Sequence, residues 1–224
     1  MQLAIDTLRA TLAAVRQRIG RAAERARRDP AEIGLLAVTK LFPAAVIRQA
    51  YELGLREFGE NYVREFEQKA PEVADLADAR FHLIGHLQSN KSKKAAELFQ
   101  VIQTVDSPRL ARRLNDAGRA LEVMIEVKLS EEEAKSGADP ALVAEVIAAV
   151  RACGNLRLLG LMTMPPWTED PEASRPYFRR LRELAERHGL RQLSMGMSHD
   201  LEAAVEEGAT CVRVGTALFG KRTP

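Results

Sequence analysis

Cysteine is nearly absent: Cys153 and Cys211 are the two in 224 residues, and neither sits in a CxxC or Cys/His spacing. That argues against a thiolate zinc centre and a dithiol redox motif, and leaves both as core thiols. Charge of one sign is also scarce, since 33 basic residues stand against 31 acidic ones for a formal net charge of +2. A protein that tracks phosphate backbones usually carries a dominant basic face, so no nucleic-acid partner is expected. The opening stretch MQLAIDTLRATLAAVRQRIG is charged throughout and lacks the continuous apolar run of a secretory leader or membrane span. The expectation is a cytoplasmic protein with no membrane attachment. There is no low-complexity segment or linker, and no GxGxxG follows the first strand candidate. The last absence weakens the rival reading of a doubly wound dinucleotide fold.

What the chain does have is 46% hydrophobic residues, enough for a substantial core, and it reads as one domain over residues 1–224. Residues 3–28 place Leu8, Leu12, Val15, Ile19 and Ala22 on one stripe, an amphipathic helix whose other faces carry arginines. Residues 1–29 thus form a covering helix, its arginines a solvated face, ended by Asp29-Pro30. Eight short apolar runs follow: GLLAVTK (34–40), EFGENY (57–62), FHLIGH (81–86), VIQTVDS (101–107), LEVMIEVK (121–128), LRLLGLMTM (156–164), QLSMGMS (192–198) and CVRVGT (211–216). Their near-continuous Leu, Val, Ile and Met content suits parallel strands covered on both faces. Gly54, Gly118, Gly154, Gly189 and Gly208 each fall between a helical stretch and the next run, where a positive φ favours glycine. Eight strands with helices between them predict a (β/α)8 barrel.

In such a barrel the carboxyl ends of the strands form one mouth, and here they carry Lys40, Asn61, His86, Ser198 and Thr216. If Leu36 and Val38 face the interior, alternation turns Lys40 the same way. A sheltered lysine offers a neutral amine that attacks aldehydes; the bland alternative is a strand-end lysine reaching solvent. The loops after strands 7 and 8, SMGMSHD and VGTALFG, can hold a phosphate through Gly196, Gly215, Ser198 and Thr216, with Ser198 also a candidate N-cap for LEAAVEE. Arg213 in CVRVG is a permanent cation inside an apolar strand and needs a partner. One ligand meets all three demands: pyridoxal 5′-phosphate (PLP), its aldehyde on Lys40 as an imine and its pyridine nitrogen facing Arg213. A fixed cation there keeps that nitrogen unprotonated and the ring a weak electron sink.

The segments AVTK, FGENYVREF, FHLIGHLQSNK, KSG, GLMTM, LSMGMSHDLEAAVEEG and VRVGTALFG, running from about Leu35 to Lys221, resemble the pyridoxal phosphate homeostasis family. Its barrel is similar to the N-terminal domain of alanine racemase. The resemblance implies Lys40 as the imine lysine, and Ser198, Gly215 and Thr216 on the phosphate with Met197 nearby. It also implies Arg213 on the pyridine nitrogen, and Asn61, His82 and Ser194 beside the pocket. For His82, ordinary core hydrogen bonding is an equal reading. Alanine racemase has a second domain and a catalytic tyrosine, which none of Tyr51, Tyr62 and Tyr177 matches. The resemblance therefore implies a monomeric, non-catalytic carrier in vitamin B6 homeostasis and amino-acid balance, with PLP-dependent apo-enzymes as partners. Lys91 and Lys135 are candidates for secondary PLP attachment. A PLP-dependent racemase or lyase, a cofactor-free aldolase-like barrel and a partner-binding module are the competing readings.

Overall fold

The computed structural model of the protein describes residues 4–130 and 136–221. Among these residues, eight parallel strands close into one barrel in sequence order: β1 (Gly34–Val38), β2 (Glu57–Glu60), β3 (Arg80–Leu83), β4 (Val101–Val105), β5 (Leu121–Glu126), β6 (Leu156–Met162), β7 (Gln192–Met197) and β8 (Cys211–Val214). β1 closes the ring on β8, with Gly34 opposite Cys211 and Ala37 opposite Val214. A helix follows each strand: α2 (Ala44–Glu52), α3 (Val63–Lys69), α4 (Ser92–Leu98), α5 (Pro108–Asn115), α6 (Val143–Arg151), α7 (Arg175–Arg187), α8 (Leu201–Glu206) and α9 (Thr216–Phe219), with α1 (Ile5–Arg25) preceding β1.

Each predicted run overlaps one of these strands; seven contain their strand whole, and β3 begins one residue ahead of its run, at Arg80. Where both faces are covered the sequence needs no polar alternation, and all five residues of β4 are buried. Alternation survives as a division between two cores. Leu36, Val38 and Ile84 form a small cluster of their own, whereas Ala37 belongs to the large core between barrel and helices. Leu36 and Val38 thus share the face that leads on to Lys40.

The stripe of Leu8, Leu12, Val15, Ile19 and Ala22 is buried, and α1 packs against α8 and α9. Its arginine face is not simply solvated, which corrects the sequence expectation. Arg18 donates to both carboxylate oxygens of Glu202 at 2.6 and 2.7 Å and to the Ser198 carbonyl at 3.0 Å. Arg25 pairs with Glu206 at 2.6 Å. These partly exposed contacts add little energy each, but they fix where the helix docks.

Gly54, Gly118, Gly189 and Gly208 have positive φ, between +66° and +103°. Gly154 does not. α6 ends through Ala152 in a right-handed conformation, so Gly154 falls beyond the cap, where no left-handed residue is required. Cys153 is buried and Cys211 half-buried at the start of β8, where burial raises its thiol to about 11.

Candidate functional site

A cavity of about 700 Å³ opens at the carboxyl ends of β1, β2, β7 and β8. Lys40, Asn61, Met197, Ser198, Arg213, Gly215 and Thr216 line it, seven of the nine residues singled out from the sequence, together with Trp167 and His199. Lys40 is half-buried, two residues beyond the end of β1. Trp167 stands on the rim, 74% exposed, its ring stacked on that of His199.

Arg213 is 3% exposed. Its Nη1 donates to Ser194 Oγ at 2.8 Å and its Nη2 to the Thr163 carbonyl at 2.8 Å. Both acceptors are neutral, and among the described residues no carboxylate pairs with it. Burial pushes the guanidinium below its ordinary value, although nearby acidic groups oppose the shift. A cation kept in this state costs several kcal/mol and faces a cavity able to admit a group that would compensate it.

His82 and Ser194 are not among the residues lining the cavity; they support Arg213 from below. Ser194 Oγ donates to Gln103 Oε1 at 2.6 Å, the Gln103 amide donates to His82 Nδ1 at 2.9 Å, and His82 Nε2 meets the Glu57 carboxylate. Burial alone would raise Glu57, but His82 and Arg80 hold it below its usual value. The relay crosses the barrel from β2 to β8. Gln103 and Thr163 escaped the sequence reading, because only strand register brings them to Arg213. The weak signal in the sequence was a polar pair, Gln103 and Thr104, inside an apolar strand.

On the two phosphate-type loops, Ser198 Oγ accepts the Ala217 backbone N–H at 3.1 Å and so joins the loop after β7 to the loop after β8. This leaves its own proton for a ligand. Ser198 is not the cap of α8: Asp200 occupies that position, its carboxylate accepting the Met197 N–H at 2.7 Å. Gly196 has a packing requirement of its own. Its φ is +88°, and a Cβ would lie 2.4 Å from Ala204 Cβ, so close packing of β7 on α8 requires glycine. Gly85 has a comparable role for Asn61, whose carbonyl oxygen would lie 2.2 Å from an added Cβ. Asn61 Oδ1 is buried and, among the described residues, has no partner.

Beyond Met164, Trp167 and Met197, which line both spaces, a second cavity of about 530 Å³ is lined by His86, Glu126, Lys128 and Ser130. Glu126 is 2% exposed and its Oε2 has no partner among the described residues. Burial, opposed by Arg213 and reinforced by Asp106, raises its carboxyl to about 7. Lys91 is exposed on the turn before α4, and Lys135 lies outside the described residues. Lys94, of the same basic cluster, pairs with Glu67 and Glu97, each at 3.1 Å.

A family model described as the N-terminal domain of alanine racemase matches residues 10–223. The pyridoxal phosphate homeostasis protein of Pseudomonas aeruginosa is 48% identical over 224 aligned positions, covering 97% of each chain. The protein of that name from Escherichia coli is 43% identical, covering 94% of this chain and 95% of the relative. PipY of Synechococcus elongatus, solved with PLP bound, is 39% identical with a TM-score of 0.84, over 95% of this chain and 100% of PipY. Alanine racemase of Corynebacterium glutamicum, at 19% identity, shares the fold: its TM-score is 0.72, over 96% of this chain and 60% of the racemase.

Proposed function

Because the chain belongs to the alanine racemase N-terminal domain family and, within it, to the pyridoxal phosphate homeostasis proteins, we propose that it holds PLP on Lys40 and serves PLP homeostasis. The observation that carries this is Arg213, a buried cation with two neutral acceptors on the wall of the cavity that Lys40 also lines. The residues fit the group. Asn61 Oδ1 awaits a donor, Ser198 has a proton to give, and the space of about 700 Å³ lies within the range of cofactor pockets.

When bound, PLP supplies an aldehyde that combines reversibly with primary amines and a conjugated ring that absorbs visible light. Lys40 provides the amine. Ser198, Gly215 and Thr216 hold the phosphate, with Met197 beside them. Arg213 takes the pyridine nitrogen and, as a permanent cation, keeps a proton off it. His82 and Ser194 act through Arg213 by fixing its direction.

The reading is of a carrier without catalysis, a cytoplasmic monomer that passes the cofactor to apo-enzymes. Racemisation needs proton-transfer groups on both faces of the substrate carbon. No tyrosine is among the described residues lining the cavity, and Tyr51 OH is engaged by Asp78. His199 Nε2 is directed to the Glu169 carbonyl at 3.0 Å. The test is borohydride reduction of the PLP-loaded protein followed by peptide mapping. A pyridoxyl group on Lys40 is expected, and label confined to other lysines refutes the assignment. Incubation with L-alanine in D2O should give no Cα–H exchange above that of free PLP. Exchange that disappears in Lys40→Ala favours the racemase or lyase instead.

A further inference from the structure

Behind Lys40 lies a charged cluster that none of these binding contacts uses. Lys69 of α3 is 7% exposed; its ammonium donates to the Thr39 carbonyl at 3.1 Å and to the two Glu60 carboxylate oxygens at 3.0 and 3.1 Å. Glu60 is fully buried at the end of β2 and also accepts the Thr39 hydroxyl at 2.7 Å. Glu65, one helical turn before Lys69, pairs with it through Oε1 at 2.5 Å. The same oxygen accepts the backbone N–H of Leu41 at 2.6 Å. Thr39 and Leu41 are the residues on either side of Lys40, and α3 grips both.

This grip is a poor way to gain stability. Two carboxylates share one lysine, and burial pushes the Glu60 carboxyl up against the pull of Lys69 and Thr39. Glu65 Oε2 is buried with no partner among the described residues. Leu41 is held at φ +63°, a left-handed conformation that residues other than glycine seldom adopt, and its side chain is 60% exposed, so little packing compensates. Glycine at that position and no carboxylate beneath it would be cheaper. What the arrangement does achieve is a fixed backbone at Lys40 immediately after β1 ends.

We infer that Glu65 and Lys69 are positioning residues for Lys40: by clamping Thr39 and Leu41 they direct the amine into the cavity. The inference rests on the reading of Lys40 as the amine that takes the PLP aldehyde. It is tested with two ligands, PLP and pyridoxine 5′-phosphate, which keeps ring and phosphate but has a hydroxymethyl group in place of the aldehyde. Glu65→Ala should lower PLP affinity at least about tenfold, as ångström-scale misplacement of a reacting group does, and leave pyridoxine phosphate within about twofold. Glu65→Gln retains an oxygen for the Leu41 N–H and should keep PLP affinity within about threefold. If Glu65→Ala does not fold, Glu65→Asp carries the same expectation, because it keeps the charge beside Lys69 but falls short of Leu41. Equal loss of both ligands, or loss of neither, overturns the positioning role. Wild-type protein that binds the two ligands equally overturns the reading of Lys40 itself, and the positioning role with it.

Discussion

Replacing Glu126 by glutamine preserves the size of the side chain and removes its charge, at a site where the carboxyl is raised from 4.5 to about 7. A carboxyl raised on folding stays protonated in the native state while the unfolded chain has already released its proton. Raising the pH from about 4.5 through 7 therefore favours unfolding, at about 1.4 kcal/mol per pH unit. Over that interval the wild type should lose about 3 kcal/mol that the glutamine variant does not lose. The stability of Glu126→Gln relative to wild type should thus climb by about 3 kcal/mol between pH 4.5 and 8, all of the gain arising below about pH 8. Comparing the two proteins cancels the other titrating groups, Glu60 included. The assay is urea denaturation followed by circular dichroism, at several pH values, on PLP-free protein so that ligand linkage does not enter. Curves that stay parallel from pH 4.5 to 8 would show that the carboxylate is stabilised as well when folded as when unfolded, and the reasoning from its burial fails.

Arg213→Gln should weaken PLP binding and shift its visible absorption, yet leave the ligand-free protein as stable as wild type or more stable by about 1–2 kcal/mol, since an uncompensated buried cation has gone. A large loss of stability would mean that Arg213 is held for the fold. Gly85→Ala should cost about 3 kcal/mol or more in denaturant melts, because its Cβ would overlap the Asn61 carbonyl oxygen, and should weaken PLP binding by displacing Asn61. Leu41→Gly should be neutral or stabilising by up to about 1 kcal/mol, as it relieves a left-handed leucine; clear destabilisation in the same assay would show that the exposed side chain has packing of its own.

The barrel was legible because its signals are local. Eight short apolar runs alternate with helical stretches, and four of the helices between them stop at a glycine of positive φ. Lys40, Asn61, Ser198 and Thr216 were legible for a related reason, since strand-end position brings them to one mouth, and Arg213 because a permanent cation stands out in an apolar strand; His86, read from the same position, lines the second cavity instead. The role of His82 was not, since its partners Glu57 and Gln103 come from neighbouring strands and only pairing shows that the three touch. Ser198 was misassigned as a helix cap because its use lies nineteen residues away in sequence, at the Ala217 N–H. Gly196 was read as a phosphate-loop glycine, and only the packed structure shows that Ala204 on the helix behind it also requires glycine there. The clamp on Lys40 was invisible for a different reason. FGENYVREFEQK reads as a strand end and an ordinary surface helix, and nothing in its periodicity says that Glu65 reaches Leu41.

Buried polar atoms without a hydrogen-bond partner gather toward the mouth of the barrel without being confined to it. Among the described residues, Asn61, Glu65, Glu126 and Ser130 each have one buried polar atom without a hydrogen-bond partner, as has Arg182 at Nε on α7. The first four lie at or within a few residues of the carboxyl ends of β2 and β5. Such atoms cost about 1–3 kcal/mol each, and selection for stability alone would pair them or replace them with apolar groups. With Arg213, a buried cation held by two neutral acceptors, and the left-handed Leu41, they concentrate unfavourable features at this end of the barrel. A ligand entering the cavity that Lys40 lines meets Asn61 Oδ1 and the Arg213 guanidinium with demands still unmet. It therefore gains more from each contact than it would on a surface whose polar groups were satisfied before it arrived.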